Sequence, residues 1–217
     1  MTEVFKKSYS FAEINYEEVA RYSGAKETDE NLKELMRACA LEAENENAID
    51  YKVCYAELPL EIIGLEVKTP PISFLSRNLA RLLSSSKGAL VFASTLGIGV
   101  DRLIKKYSET NPSKALIFQA LGAERIETFT DIFLKDYEKS NGVSLTPRFS
   151  PGYGDLPLEA QRDIFALLNP SKLIGVTLND SLIMSPSKSI TAIAGIGGEA
   201  LGKFGCENCE KKCGLRR

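Results

Sequence analysis

Apolar residues recur at helical spacing in several parts of the chain. One predicted helix follows Asn15 as a capping residue and stops at Gly24. A second follows a cap at Thr28, reaches about residue 46, and has an apolar stripe formed by Leu32, Leu35, Met36, Cys39 and Ala43. The longest starts after Asn111-Pro112, and one of its faces carries Ile126, Phe129, Phe133 and Tyr137. Further helices are predicted over 76–85, from about 100, and over 157–168.

Short apolar runs between these helices predict strands. They cover 9–14, 48–58, 61–67, 89–94, 143–149 and 189–196, with shorter apolar segments at 173–176 and 180–184. Pro70-Pro71 predicts a linker or a turn. Because strands and helices follow no regular β-α-β repeat, the pattern predicts an α+β fold.

Composition excludes several classes of protein. The formal net charge of −2 argues against a nucleic-acid-binding surface, which needs a basic face. No apolar run reaches the ~18 residues of a membrane span. The first residues lack the apolar core of a signal peptide, so we expect a cytoplasmic protein with reduced or metal-bound cysteines. The chain contains no histidine, which removes serine–histidine triads and histidine metal ligands.

The polar stretch 148–155 lies between two apolar segments and carries the strongest candidate chemistry. Arg148 can hold a carboxylate through two parallel hydrogen bonds. Gly152 leaves the backbone bare for close approach of a ligand, and Tyr153 offers a flat aromatic face. From composition alone, a ligand-binding loop and an ordinary turn before the next helix are both open interpretations.

These residues also carry a resemblance. The pattern Arg148-x-x-x-Gly152-Tyr153, followed by Asp-Leu-Pro-Leu-Glu-Ala-Gln, resembles the signature of the activation domain of cobalamin-dependent methionine synthase. The stretches 95–102 (TLGIGVDR) and 182–189 (LIMSPSKS) are similar to segments of the same family. The resemblance covers about residues 90 to 195 well and the N-terminal part, about 1–47, only loosely.

The resemblance implies a twisted, mainly antiparallel sheet flanked by helices and curved around a ligand cleft. It implies that S-adenosylmethionine binds at residues 148–153. Arg148 would pair with the methionyl carboxylate, Ser150 and Gly152 would offer backbone groups, and Tyr153 would stack on the ligand. Glu127 matches an acidic residue that approaches the ligand within a Glu-x-Phe context. From the pattern alone, Glu127 is equally well a solvated acid at the rim of the core.

The implied activity is reductive methylation of cob(II)alamin, which reactivates a cobalamin methyltransferase that oxidation has inactivated. The chain has no segment that reads as a cobalamin-binding module, so the corrinoid would belong to a partner, either a split methionine synthase or another corrinoid protein. A flavodoxin or ferredoxin would donate the electron. The alternatives are a docking module for a corrinoid protein and an iron–sulfur reductive activator.

A glycine-rich turn over 95–100 joins a predicted strand to a helix. Such a turn places free backbone N–H groups at a helix N-terminus, which favours an anion or a carbonyl oxygen. It is equally typical of tight strand–helix packing.

The C-terminal segment contains Cys206, Cys209 and Cys213 in a Cys-x2-Cys-x3-Cys arrangement. Three close thiolates can bind zinc or an iron–sulfur cluster if a fourth ligand arrives. A redox-exposed tail without metal is the alternative. We therefore expect one domain over 1–200 and a cysteine-rich tail over 201–217, with Cys39 and Cys54 as core thiols.

Overall fold

The computed structural model describes residues 2–10 and 13–198. Helices and strands alternate irregularly along this part of the chain. In chain order they are β1 Phe5–Tyr9, α1 Tyr16–Ser23, α2 Glu30–Asn45, β2 Tyr51–Pro59, β3 Glu61–Ile63, β4 Glu66–Thr69, β5 Ile72–Leu75, α3 Arg77–Leu83, β6 Gly88–Thr95, α4 Gly99–Tyr107, α5 Pro112–Asn141, α6 Ala160–Leu168, α7 Pro170–Ile174, β7 Thr177–Leu178, β8 Met184–Ser185 and β9 Ser189–Ile196.

The central sheet has the strand order β1-β2-β6-β9, and all of its neighbours are antiparallel. Two smaller sheets, β3-β4-β5 and β7-β8, are antiparallel as well. The predicted α+β class, with mainly antiparallel sheet and flanking helices, is therefore confirmed.

The 30-residue helix α5 packs on one face of the central sheet. Its predicted stripe is buried there against apolar residues of β6 and β9; the contact surface includes Ile126, Phe129, Phe133, Tyr137, Phe92 and Ala192. Helices α3, α6 and α7 cover the opposite face together with the sheet β3-β4-β5. The sheet is thus enclosed on both sides, and α5 lies over the face formed by β2, β6 and β9.

Helices α1 and α2 pack with α4 on the outer side of α5. The segment before α1 is held by a buried ion pair between Glu124 and Arg125 of α5. Glu124 accepts the backbone N–H of Asn15 at 3.2 Å, and Arg125 donates to the carbonyl of Glu13. The N-terminal part of the chain is therefore joined to the core through α5.

Several predicted elements differ in the structure, each for a local reason. The segment 143–149 is not a strand and forms only single bridges to β9, because Pro147 has no N–H for a ladder. The expected strand 61–67 is a hairpin, which turns at Gly64 with φ 63°. The segment 173–176 begins inside a short helix, α7, which Pro170 starts in the favoured first position.

Two helices also begin at residues other than those predicted. Asp29, and not Thr28, caps α2 by accepting the N–H of Leu32 at 2.8 Å. The helix predicted from Pro157 begins at Ala160, and Leu158, expected on its inner face, is 39% exposed. The first strand is 5–9 and not 9–14; residues 11 and 12 lie outside the described residues.

Candidate functional site

Arg148 is positioned by its neighbour on the chain. Phe149 exchanges both backbone hydrogen bonds with Ile193 of β9, at 2.8 and 2.9 Å. The Phe149 ring packs into the cluster on the α6 side of the sheet. Since successive side chains of extended backbone point to opposite sides, Arg148 is directed to the other side, where it meets α5.

Two carboxylates on neighbouring turns of α5 hold the Arg148 guanidinium. Its Nη2 donates to Glu127 and its Nη1 donates to Asp131. The exposed fractions of the side chains are 22% for Arg148, 34% for Glu127 and 57% for Asp131. Burial lowers the pKa of Arg148, but the charges of Asp131 and Glu127 outweigh burial and raise the pKa above its usual value. The structure therefore brings together two predicted site residues, Arg148 and Glu127, and adds Asp131, which sequence reasoning missed.

This arrangement determines what the cluster can bind. One cation and two carboxylates leave a net charge of −1, which favours a ligand with a positive group. A guanidinium has five N–H donors, and two of them are used here. A ligand carboxylate can therefore reach Arg148 through the remaining donors, or it can displace the more exposed partner, Asp131.

The loop 150–156 is closed by its own backbone. Gly152 N–H donates to the carbonyl of Leu156 at 2.9 Å, Leu156 N–H donates to Tyr153 at 3.0 Å, and Tyr153 N–H donates to Ser150 at 3.1 Å. Gly152 and Gly154 have φ of 88° and 54°, a region that side chains rarely adopt. Tyr153 is 63% exposed at the tip. The loop thus has a fixed shape, and it presents the Tyr153 ring at the surface.

Asp155 anchors this loop to the N-terminus of α3. Its carboxylate accepts the Ser76 hydroxyl at 2.5 Å, Arg77 N–H at 2.8 Å and Asn78 N–H at 3.2 Å. Burial raises the pKa of Asp155, but these hydrogen bonds outweigh it, and the pKa is lowered. Ser76 itself caps α3, as predicted, through the N–H of Leu79.

The fit around Gly154 explains why the loop needs a glycine at that point. A Cβ there would lie 2.5 Å from Nδ2 of Asn78 and 3.2 Å from the ring of Phe149. The loop therefore packs directly on α3, and the helix start and the candidate site share one set of contacts.

The polar turn between β8 and β9 lies beside α4. Ser187 donates its N–H to Asp101 at 2.9 Å, and its hydroxyl donates to the same carboxylate. This turn belongs to the stretch 182–189 that is similar to a segment of the resembling family, and the structure places it at the start of α4.

The three cysteines proposed as metal ligands, Cys206, Cys209 and Cys213, lie outside the described residues. Cys39 and Cys54 are buried free thiols, as predicted. Burial raises the pKa of Cys39 to about 11 and that of Cys54 to about 12. Among residues 2–10 and 13–198, no group of three or more acidic or cysteine side chains has a geometry suited to a metal ion.

Among residues 2–10 and 13–198, no helix is both long and apolar enough to cross a bilayer.

The arrangement of a helix-flanked, mainly antiparallel sheet around the Arg148 loop defines a known α+β architecture. Among solved structures, the chain is similar to one described as the crystal structure of the MetH reactivation domain bound to AdoHcy. The TM-score is 0.68 at 14% sequence identity, over 95% of this chain and 83% of that chain. No protein-family model and no curated protein matches the sequence. The chain therefore has the fold of the MetH reactivation domain, as the sequence resemblance implied.

Proposed function

We propose that this protein binds S-adenosylmethionine between α5 and the Arg148 loop. One observation carries the proposal: the chain shares the fold of a domain that was crystallised with AdoHcy, and Arg148, which pairs with Glu127 of α5, lies four residues before the Gly152-Tyr153 turn.

The chemistry of the cluster fits the proposed ligand. The sulfonium and amino groups are cationic, and Glu127 supplies a matching negative charge. The ligand carboxylate suits the unused N–H donors of Arg148. Tyr153 offers an exposed ring for stacking, and the backbone at Gly152 has no side chain to obstruct approach.

We further propose that the protein acts in trans on a separate corrinoid protein, in reductive methylation of cob(II)alamin. When bound, S-adenosylmethionine supplies an activated methyl group. The residues of this chain would hold and orient that ligand and exclude water, a role that needs no acid or base and so fits a chain without histidine. The corrinoid and the electron, from a flavodoxin or ferredoxin, would come from partners.

Calorimetric titration with S-adenosylmethionine and S-adenosylhomocysteine tests the binding step. We expect saturable binding that weakens at least tenfold, about 1.4 kcal/mol or more, in Arg148→Ala. Arg37→Ala is a matched control, since Arg37 is an exposed arginine on α2. Unchanged affinity in a folded Arg148→Ala protein would refute the role of Arg148. Absence of binding in the wild-type protein would refute the ligand assignment for the isolated chain.

The trans activity has its own assay. The protein is mixed with S-adenosylmethionine, a reductant and a purified corrinoid protein in the cob(II)alamin state, and methylcobalamin formation is followed by absorbance. Methylation that depends on this protein and fails with Arg148→Ala supports the proposal. Methylation at the same rate without the protein contradicts it.

A second candidate function is a docking module that binds a corrinoid protein without using the ligand. The pairing of Arg148 with two carboxylates favours it, because the guanidinium is already neutralised. Binding to a corrinoid protein without affinity for S-adenosylmethionine would support this alternative. The iron–sulfur activator rests on the cysteine tail, and visible absorbance of anaerobically purified protein tests it.

A further inference from the structure

Strand β1 is an open edge of the central sheet. It lies at one end of the order β1-β2-β6-β9, and the Arg148 loop adjoins the opposite edge at β9. In the part of the chain that the structure describes, the β1 backbone makes hydrogen bonds only with β2. The pairing runs without a bulge from Phe5 to Tyr9, and no proline interrupts it. The outward N–H and C=O groups of β1 can therefore pair with another strand.

The side chains of β1 alternate between the two faces of the sheet. Lys7 pairs with Asp136 of α5, so its side chain lies on the α5 face. Phe5, two residues earlier, shares that face. Val4 packs into the core cluster on the opposite face, beneath α3 and α6. The alternation therefore extends back to Glu3, which falls on the α5 face together with Phe5 and Lys7.

These three side chains leave an aromatic surface and two charges at the edge. Phe5 stacks on Tyr55 of β2 with ring centroids 5.3 Å apart, and it is still 37% exposed. Lys7 is exposed and uses one of its three ammonium donors in a hydrogen bond to α5. Glu3 is exposed and makes no ion pair among the described residues, and the nearby Glu57 of β2 is also a carboxylate. The edge therefore presents Phe5 between a negative and a positive charge.

A two-fold axis between two β1 strands fixes which residues meet. Directly opposite residues of antiparallel strands share a face, so the axis must lie at a residue that faces its own copy. An axis at Lys6 or at Lys7 sets two lysines against each other. Within residues 2–10, only an axis at Phe5 sets opposite charges against each other. This register pairs Phe5 with Phe5, Lys7 with Glu3, and Lys6 with Val4 of the second copy.

We propose that two copies of this chain associate through antiparallel β1 strands about a two-fold axis at Phe5. The contact joins their two four-stranded sheets into one. Charge complementarity identifies the partner as a second copy, because Glu3 of each chain meets Lys7 of the other and symmetry makes this contact twice. The two Phe5 rings meet at the axis and continue the stack that each makes with Tyr55.

The lysines of β1 set the strength of this contact. Lysine on an edge strand normally opposes pairing with another chain. Glu3 of the second copy removes that protection at Lys7. Lys6 is exposed on the other face, where its ammonium can remain in water while its stem contacts Val4 of the second copy.

This inference is independent of the proposed function. Because β1 and β9 are opposite edges of the sheet, the two Arg148 loops would lie at the outer edges of the joined sheet. Both candidate sites would therefore stay accessible in the dimer.

Sedimentation equilibrium of the full chain, over about 1 μM to about 1 mM, measures the association. A reductant prevents the cysteines from linking the copies. We expect a reversible dimer within this range. Glu3→Lys should weaken dimerisation about tenfold or more, because it turns two opposite-charge pairs into like-charge pairs. Glu109→Lys makes the same charge change at an exposed position after α4 and should have no effect.

A mixture of two variants gives a sharper test. Lys7→Glu alone should also weaken dimerisation, and loss of its exposed pair with Asp136 should affect folding little. In a mixture of Glu3→Lys and Lys7→Glu, position 3 of each chain again meets an opposite charge at position 7 of the other. The mixture should therefore form a heterodimer at a concentration where each variant alone is monomeric. Circular dichroism confirms that both variants are folded.

Amide hydrogen exchange locates the contact. Alternate amides of β1 face outward in a single chain, so their exchange should slow as the protein concentration rises. A chain that stays monomeric up to about 1 mM, or a dimer that Glu3→Lys leaves unchanged, overturns the inference. A dimer without new protection in β1 overturns it as well, because the copies would then meet at another surface.

Discussion

Replacing Asp155 by Ala tests how the candidate loop is held in place. Asp155 is the point at which the Arg148 loop joins the fold, since its carboxylate accepts hydrogen bonds from Ser76, Arg77 and Asn78 at the start of α3. The substitution removes all three interactions. It also removes a negative charge from a helix N-terminus, where that charge is favourable.

The size of the effect follows from the geometry. Loss of an N-cap interaction costs about 1 kcal/mol, and hydrogen bonds to a charged group contribute about 1.5–3 kcal/mol. The Asn78 contact is long at 3.2 Å, Arg77 is exposed and Asn78 is half-buried, so water replaces part of the loss. We therefore expect a loss of about 2 kcal/mol in the free energy of unfolding. For a chain of this size it lowers Tm by about 4–8 °C.

The assay is urea and thermal unfolding at pH 7, with exposed Glu109→Ala as the control. The pH dependence supplies a second test. The pKa of Asp155 is lowered from its ordinary value of 3.8. Its stabilisation is therefore fully present above pH 3.8 and is lost as the pH falls through the folded-state pKa. The difference between wild type and Asp155→Ala should be constant from pH 6 to 8 and should shrink below about pH 4.

Asp155→Ala with the same stability as wild type at pH 7 would refute the anchoring role. Affinity for S-adenosylhomocysteine gives a further comparison. If the anchor positions the loop, the variant should bind more weakly even at temperatures where it is fully folded. Unchanged affinity would separate the stability of the loop from its role in binding.

Three further predictions concern charged groups. Asp131→Asn should strengthen S-adenosylhomocysteine binding about two- to fivefold in calorimetry, because Asp131 competes with the ligand carboxylate for Arg148. The ion pair is largely exposed, so its loss changes the binding free energy by at most about 1 kcal/mol. Weaker binding would instead show that Asp131 contacts the ligand. Lys188, in the turn between β8 and β9, is only 7% exposed, and Lys188→Met should raise the free energy of unfolding at pH 7 by about 1 kcal/mol, because burial disfavours the charged ammonium. Because the folded-state pKa of Lys188 lies below its ordinary 10.5, this advantage should fade in urea titrations as the pH rises toward 10.5, and an unchanged difference would contradict it. Arg125→Met should lower the free energy of unfolding, measured by chemical denaturation, by about 3–5 kcal/mol, because it leaves the buried Glu124 carboxylate without its ion-pair partner. A smaller loss would mean that Glu124 becomes protonated or reaches water.

The elements that sequence predicted well are those with an unbroken pattern. The strand 189–196 is found with the predicted bounds, and the α5 stripe is buried as expected. Both carry regular apolar periodicity that no turn residue interrupts, so local pattern and tertiary burial agree. The cap at Ser76 was also predictable, because a serine before an apolar helical run commonly accepts a backbone N–H of the first helical turn.

The segment 143–149 shows where local patterns fail. Its apolar character indicates burial, and Leu145 and Phe149 are half-buried where they bridge to β9. Backbone pairing, however, depends on donors, and Pro147 removes one from the middle of the run. Asp131 was missed for a different reason. Its significance lies in its contact with Arg148, 17 positions away in the chain, and no local spacing signals such a contact.

The charge balance of the Arg148 cluster bears on which ligand such a site prefers. An arginine held by two carboxylates has a fixed position before any ligand arrives, which reduces the entropy lost on binding. The same carboxylates compete with an anionic ligand group and cooperate with a cationic one. S-adenosylmethionine carries one carboxylate and two cationic groups, the amino group and the sulfonium. S-adenosylhomocysteine has a neutral thioether in place of the sulfonium, so its amino group is its one cationic group in this part of the molecule. The cluster should therefore distinguish S-adenosylmethionine from S-adenosylhomocysteine through Glu127, and Glu127→Gln should reduce that preference without abolishing binding. Paired titrations of the two ligands against wild type and Glu127→Gln measure it directly. An equal affinity ratio in both proteins would mean that Glu127 orients Arg148 and does not sense the ligand charge.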